Sequence, residues 1–217
     1  AASVKRFSLN RMVANGVFVS EGRIVFRQDE AEQALGLIDD FSIPGLHNQA
    51  NACAAACAAM AAGCGFQVIS EALATFVGVE HRLELCGNVR GIAFYNDSIA
   101  TSPDRTIVAL CAIDRPIILI AGGSDKGLNY EALGDAVREQ VKKTILIGET
   151  AEMIAWAIAD YSVERAATLD EALHVAVASA VDGDAILFSP ASASFDMFAN
   201  FEERGRKFKT LVGEIPG

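Results

Sequence analysis

Small polar residues follow three apolar segments of this sequence, at the places where those segments end. They are Asn96–Ser102, Gly122–Gly127 and Ser189–Asp196, and they combine hydroxyls and glycines with one cation, Lys126. In an open parallel sheet, ligands lie beyond the carboxyl ends of the strands. If the three segments end strands of one such sheet, they predict a cleft that receives an anionic ligand.

Each segment also has an interpretation that needs no ligand. Residues 97–102 have the composition that caps a helix, and Pro103 suits the first position of that helix. The pair Gly122-Gly123 could only let a strand turn, and Lys126 could be a solvated surface charge. Residues 189–196 could form a polar turn with an acidic residue in the first turn of a helix. A solvated helix face is predicted for Asn200, Glu202, Glu203 and Arg204.

The elements that position these residues belong to an α/β pattern that begins at His81. Continuous apolar runs at Ile117–Ala121, Thr144–Gly148 and Ala185–Phe188 predict strands that are covered on both faces. Before them, a hairpin across Gly87-Asn88 is predicted. Helices are predicted at about 130–140, 150–160, 169–181 and 195–212. We therefore expect a Rossmann-like, mostly parallel sheet with helices on both faces.

Residues 1–79 differ from the rest of the chain in their pattern of predicted strands and helices. Two alternating segments joined by Glu21-Gly22 predict a β-hairpin, and helices are predicted at about 49–62 and 68–76. An acidic loop is expected through Asp39-Asp40. This region is predicted to have too few strands for a sheet of its own, so we interpret it as the tail of a domain that lies mainly upstream.

Composition limits the classes of function. The formal net charge of −10 argues against a general nucleic-acid binder. The sequence has no run of about 18 apolar residues, so no membrane partner is expected. Cys53 and Cys57 lie four apart on one apolar helix face, which is typical of small core residues in a reducing compartment. We therefore expect a cytoplasmic protein without a cysteine-based metal site.

Several catalytic motifs are absent from the sequence. Gly122–Gly127 is not a P-loop, which would need Gly-Lys-Ser/Thr at the start of a helix. No Gly-x-Gly-x-x-Gly follows a strand. Ser98, Ser189 and Ser194 have no nucleophile-elbow context, and the three histidines suggest no catalytic triad.

Five motifs resemble those of Mur ligases. Leu46–Asn51 resembles the HNxxN element and His81–Glu84 the domain junction, both shared across the family. Asn96–Thr101, Gly122–Gly127 and Ser189–Gly205 resemble motifs of its glutamate-adding branch. The resemblance covers essentially the whole chain. It implies that residues 1–79 are the C-terminal part of the central, ATP-binding domain and that residues 80–217 are the C-terminal, glutamate-binding domain.

The resemblance implies an ATP-dependent acid–amino-acid ligase of peptidoglycan biosynthesis. Such an enzyme adds glutamate to UDP-N-acetylmuramoyl-L-alanine through an acyl phosphate. Its cofactors would be ATP and Mg²⁺, with most Mg²⁺ ligands outside this chain. Because the P-loop is absent, the chain alone is expected to be inactive. The protein is expected to be a monomer.

The resemblance also implies roles for eight residues, none of them catalytic and none a metal ligand. Those near ATP would be Asn48 and Asn51 at the adenine, Arg82 at the phosphates and Asp97 at the ribose hydroxyls. Those that hold the glutamate carboxylates would be Thr101, Lys126, Ser194 and the main-chain amide of Phe201. For His47, a structural role is equally compatible with the motif.

Two residues depart from the family's pattern. Ile99 stands where the family usually has lysine, and Ser102 where it usually has asparagine. The loss of a cation bears on the amino acid and its enantiomer, so D-glutamate is expected and L-glutamate is the competing possibility. The sequence is also compatible with a related ligase, of the folylpolyglutamate type or with another amino acid, and with a stand-alone module that binds nucleotide or glutamate.

Overall fold

A computed structural model describes residues 4–40, 45–159 and 161–217. The chain forms two compact units, Ala1–Gly78 and Val79–Gly217. None of the helices in these described ranges is both long enough and apolar enough to cross a membrane.

The first unit contains a four-stranded sheet. Its strands, in spatial order, are β1 (Arg6–Ser8), β2 (Gly16–Ser20), β3 (Arg23–Gln28) and β4 (Ala31–Leu37). The predicted hairpin is confirmed, because Ser20 pairs with Arg23 across Glu21 and Gly22, whose φ angles are both positive.

The expectation that this region lacks a sheet of its own is therefore wrong. Strand β4 occupies much of the region expected to form an acidic loop, and a 3₁₀ turn at Ile38–Asp40 follows it. Strand β4 was not predicted because Leu35 is its only buried residue, so its sequence lacks the alternation of apolar and polar residues that indicates a strand. A one-sided edge strand leaves little apolar pattern to detect.

Two helices pack on this sheet, α1 (Leu46–Ala61) and α2 (Phe66–Thr75). Their buried residues join the strands' apolar side chains in one core, and they are Cys53, Ala56, Cys57 and Ile69. Burial raises the pKa of the Cys53 thiol to about 11, which suits the predicted role as a small core residue. The cysteines of the chain are free thiols, and Cys64 and Cys111 are exposed.

The second unit contains a six-stranded sheet, which confirms the predicted fold class. Its strands are β5 (Glu84–Val89), β6 (Ile92–Asn96), β7 (Ile117–Gly122), β8 (Val141–Ile147), β9 (Val163–Arg165) and β10 (Ala185–Phe188). Their spatial order is β5-β6-β10-β7-β8-β9, and only β5 runs antiparallel to its neighbour.

The β5–β6 hairpin turns at a different place from the predicted one. Val89 pairs with Ile92, so the turn is Arg90-Gly91 and not Gly87-Asn88. Both turn residues have positive φ, which a two-residue hairpin turn requires. Gly87 lies within β5, next to a shift in register.

Helices cover both faces of this sheet, as expected. On one face lie α3 (Pro103–Leu110), α4 (Glu131–Gln140) and α5 (Ala151–Ala157). On the other lie α6 (Leu169–Ser179) and α7 (Phe201–Gly213). The predicted helix 195–212 is wrong at its start, because the Asn200 side chain caps α7 by accepting a hydrogen bond from the Glu203 amide.

Candidate functional site

The three polar segments lie side by side at one edge of the second sheet. Strand β10 lies between β6 and β7 and runs parallel to both. Main-chain hydrogen bonds continue just past the strand ends. The Asp97 amide donates to the Phe188 carbonyl (2.8 Å), and the Gly122 amide donates to the Pro190 carbonyl (2.8 Å). This is the carboxyl edge at which open α/β sheets bind ligands.

The segments that follow β7 and β10 are joined to each other. Ser124 pairs with Ala193 in an isolated antiparallel bridge, and the Asp196 amide donates to the Ser124 hydroxyl (2.6 Å). Gly123 permits this approach, because a Cβ there would lie 2.1 Å from the Ala193 carbonyl oxygen, and its φ of +150° disfavours other residues. The glycine pair therefore has a structural role, and it brings the Lys126 and Ser194 segments together.

Arg204 ties the segments after β6 and β10 to α7. Its guanidinium donates to the Ser98 hydroxyl (3.1 Å) and carbonyl (2.9 Å), and to the carbonyls of Ser192 (3.1 Å) and Ala193 (2.8 Å). The Ser98 hydroxyl in turn donates to the Phe201 carbonyl (2.8 Å). Arg204 is 0% exposed, so the prediction that it lies on a solvated helix face is wrong.

The buried guanidinium keeps its charge at neutral pH. Burial lowers the pKa of Arg204 to about 10, and the nearby Asp196 carboxylate opposes that change. A signal for its burial was present in the sequence. Arg204, Phe208 and Val212 are spaced by four, so they share the apolar stripe of α7 that faces the sheet.

Asp97 is also buried, at 5% exposure, although it lies just past the end of β6. Its carboxylate accepts hydrogen bonds from the Leu83 amide (3.1 Å) and the Ser189 hydroxyl (2.7 Å). It does not cap α3, and Ser102, which occupies the N-cap position, makes no side-chain capping bond. The capping interpretation of these two side chains is therefore wrong.

Burial raises the pKa of the Asp97 carboxyl to about 6 from an ordinary value of 3.8, against the opposing effects of its two hydrogen bonds and of Arg82 and Arg105. The folded state therefore holds this proton more tightly than the unfolded chain does. The protonated carboxyl contributes its full stabilising free energy below the pKa of Asp97 in the unfolded chain, and this contribution is lost as pH rises through about 6.

From pH 7.5 to pH 5, wild type should therefore gain about 1–2 kcal/mol of unfolding free energy relative to Asp97→Asn. Denaturant titrations of both proteins at each pH measure the difference. A difference that is constant with pH, or that changes in the opposite direction, would contradict the burial of an ionisable Asp97.

The four residues assigned to glutamate binding lie on the joined segments or beside them. Ser194 is buried, Thr101 and Phe201 are half-buried and Lys126 is exposed. Phe201 is the first residue of α7, so its amide has no partner within the helix. Within residues 4–40, 45–159 and 161–217, Lys126 forms no ion pair, and its Nζ lies 5.8 Å from the centre of the Phe195 ring.

The residues assigned to ATP are divided between the units. Asn48 is buried and Asn51 exposed, both on α1 of the first unit. In the second unit, Arg82 is exposed. A further cation, which no sequence motif singled out, is Arg105 on α3, whose Nη1 donates to the Ile99 carbonyl (3.0 Å). It lies beside the position where the family usually carries lysine, and both arginines favour the ionised form of Asp97.

An acidic group lies near this edge, at residues 80–84. Glu80, His81 and Glu84 are close enough together to hold a cation. The Lys209 ammonium already lies between the two carboxylates, at 3.0 Å from Glu80 and 2.6 Å from Glu84. Burial lowers the pKa of His81. The His81 ring packs against Gly205, where a Cβ would lie only 2.3 Å from the ring Nδ1. This lysine-filled group does not suit Mg²⁺, which prefers oxygen ligands and retained waters.

Comparisons with known proteins agree with this architecture. Residues 81–192 match the family described as "Mur ligase, glutamate ligase domain". The chain is 44% identical over 214 residues to a UDP-N-acetylmuramoylalanine–D-glutamate ligase of Thermoanaerobacter sp. (strain X514), and 43% identical over 219 residues to one of Acetivibrio thermocellus. Each alignment covers 96% of this chain and 47% of the relative, so the chain spans about half the length of these curated relatives.

A solved structure shows the same fold at low identity. A pseudomurein peptide ligase type C from Methanothermus fervidus aligns with a TM-score of 0.68 and 19% identity, over 95% of this chain and 43% of that one. The family match extends over more than half of the chain and includes β5–β10, so sequence and fold lead to the same conclusion. The chain belongs to the Mur ligase family.

Proposed function

We propose that this chain is part of an ATP-dependent ligase that joins D-glutamate to UDP-N-acetylmuramoyl-L-alanine, and that residues 80–217 bind the glutamate. The observation that carries the proposal is the Lys126 ammonium, which pairs with no carboxylate of the described residues and lies on a segment joined to that of buried Ser194. The names of the relatives support both the reaction and the D-enantiomer.

The chemistry of this edge suits a dicarboxylate. Glutamate needs a cation and several neutral donors for its two carboxylates. Lys126 supplies the cation, the hydroxyls of Thr101 and Ser194 supply donors, and the Phe201 amide adds a donor at the positive end of α7. A site that fixes both carboxylates also orients the amino group, which is the nucleophile of amide formation.

In the proposed reaction, the amino nitrogen attacks the activated carbonyl carbon of the muramoyl substrate. A carbon–nitrogen bond forms, the carbon–oxygen bond to phosphate breaks with its electron pair, and the nitrogen loses a proton. ATP supplies the phosphoryl group that activates the carboxylate. The part of this chain's residues is to bind and orient the amine component.

The described residues also fit part of a nucleotide site. Each Asp97 oxygen accepts one hydrogen bond and has a second lone pair for a ribose hydroxyl. Exposed Arg82 can contact phosphate. We propose Asn48 and Asn51 for the adenine and assign residues 1–79 to the C-terminal part of the ATP-binding central domain. Mg²⁺ would be held mainly by residues outside this chain.

The proposed function is tested by titrating the isotope-labelled 217-residue chain with D-glutamate, L-glutamate and D-aspartate and observing amide resonances by NMR. We expect saturable shifts with D-glutamate at Thr101, Ser194 and Phe201. Binding of D-aspartate should be weaker because it is one methylene shorter. If D-glutamate gives no saturable shift, the glutamate assignment fails, whereas tighter binding of L-glutamate would overturn only the choice of enantiomer.

A second prediction concerns catalysis by the 217-residue chain alone. With ATP, Mg²⁺, D-glutamate and the muramoyl substrate, it should release no phosphate and form no amide, because its sequence contains no P-loop to hold the transferred phosphoryl group. Product detection by mass spectrometry measures this. Turnover by the purified chain would contradict the proposed division of roles.

A further inference from the structure

Phe195 is exposed in a way that packing does not explain. Its side chain is 69% exposed, although its neighbour Ser194 is 2% exposed. Its ring face lies under the Lys126 ammonium, with Nζ 5.8 Å from the ring centre. Within about 6 Å, the negative face of an aromatic ring attracts an ammonium ion.

Three acidic side chains that lie on the joined segments or are hydrogen-bonded to them accept hydrogen bonds from groups other than Lys126. Asp125 accepts from the Gly127 amide (2.7 Å), and Glu149 accepts from the Asp125 amide (3.1 Å). Asp196 accepts from the Ser124 hydroxyl (3.2 Å) and from the Glu149 amide (3.3 Å). These bonds order the acidic groups without using the lysine, which forms no ion pair in the described part of the chain.

The main chain on both sides of the contact is held in place. Ser124 is bridged to Ala193, and its hydroxyl also accepts from the Asp196 amide (2.6 Å). Lys126 and Phe195 therefore project from two segments that are fastened to each other.

We propose that Phe195 is a positioning residue for Lys126. Its ring holds the ammonium beside the segment that carries Ser194, where within the described residues it forms no ion pair with Asp125, Glu149 or Asp196. A ring face attracts the charge but accepts no strong hydrogen bond, so the three N–H donors of the lysine stay available for a carboxylate. An ion pair would instead neutralise the cation that the ligand needs. This proposal rests on the proposed glutamate-binding function.

The test compares three versions of the 217-residue chain, which are the wild type, Phe195→Leu and Phe195→Tyr. Leucine keeps apolar bulk without a π face, and tyrosine keeps the face. The Kd for D-glutamate, from NMR titration, should rise about twofold to fivefold with leucine and stay near wild type with tyrosine. The ring-current shift of the Lys126 ε-methylene resonances should disappear with leucine and persist with tyrosine.

Repeating Phe195→Leu in a Lys126→Met background separates positioning from a direct contact. We expect no further rise in Kd there, because the ring then has no ammonium to hold. An equal effect of leucine in both backgrounds would overturn the proposal, as would a Kd unchanged by leucine. If wild type itself does not bind D-glutamate, the proposed function and this proposal fail together, while intact binding by Phe195→Leu overturns the positioning role alone.

Discussion

Replacing Lys126 with alanine should weaken D-glutamate binding by about tenfold to a hundredfold, the usual effect of losing a hydrogen bond to a charged group. Lys126 is the exposed cation of the joined segments, and it forms no ion pair within the described residues. Its ammonium is therefore available to a ligand carboxylate. NMR titration of the 217-residue chain measures the Kd.

Lys207 provides a matched control. It is a lysine of the same unit, and it pairs with Asp170 on an exposed surface (2.8 Å). Lys207→Ala should leave the Kd for D-glutamate unchanged. If Lys126→Ala instead weakens the binding of ADP and leaves D-glutamate binding intact, Lys126 serves the nucleotide and the assignment to glutamate is wrong.

Replacing Arg204 with methionine should lower the unfolding free energy of the second unit by about 2–4 kcal/mol. Methionine fills much of the space but removes the guanidinium donor from the buried carbonyls of Ser98 and Ser192 and one of the two donors from the Ala193 carbonyl, which keeps the Ser124 amide. Arg204→Lys should also destabilise the unit, because one ammonium cannot reproduce the spread of a guanidinium that reaches both segments. Denaturant unfolding followed by circular dichroism measures both effects.

The exposed neighbour Arg206 is the control for this substitution. Arg206→Met keeps the same change of side chain on the same helix without a buried network, so its effect should be within about 0.5 kcal/mol. If Arg204→Met costs no more than Arg206→Met, the buried guanidinium does not hold the strand ends together. D-glutamate binding should also weaken in Arg204→Met, because the Ser194 segment loses an anchor.

The local pattern of the sequence was sufficient for much of the fold. The runs at β7, β8 and β10 are continuous and apolar because both faces of these strands are covered, and they were located to within a few residues. The turn at Glu21-Gly22 was also predicted correctly, because a two-residue turn depends on the residues of the turn itself. The turn at Arg90-Gly91 was missed because Gly87-Asn88 is an equally good turn sequence, and long-range pairing of β6 decides the register.

The chemistry of the site was only partly readable from the sequence. The motif resemblance implied binding roles for Asp97, Lys126 and Ser194, but it did not indicate their environments. Asp97 is 5% exposed, and Arg204, for which a solvated helix face was predicted, is 0% exposed. The spacing of Arg204, Phe208 and Val212 indicates which face of α7 carries the arginine, but its burial also requires partners that are distant in the chain, such as Ser98, and no local pattern specifies those partners.

By itself, the sequence determined an α/β fold, the strand ends that carry polar residues and the resemblance to Mur ligases, because these depend on composition and on spacing within short segments. The tertiary structure alone decided which strand ends are neighbours. Strand β10, the last in the chain, inserts between β6 and β7, and that placement brings the Ser194 segment against the Lys126 segment. Strand order is set by the pairing of distant segments and by how helices cover each face, so the arrangement of the site emerges only when the whole sheet is formed.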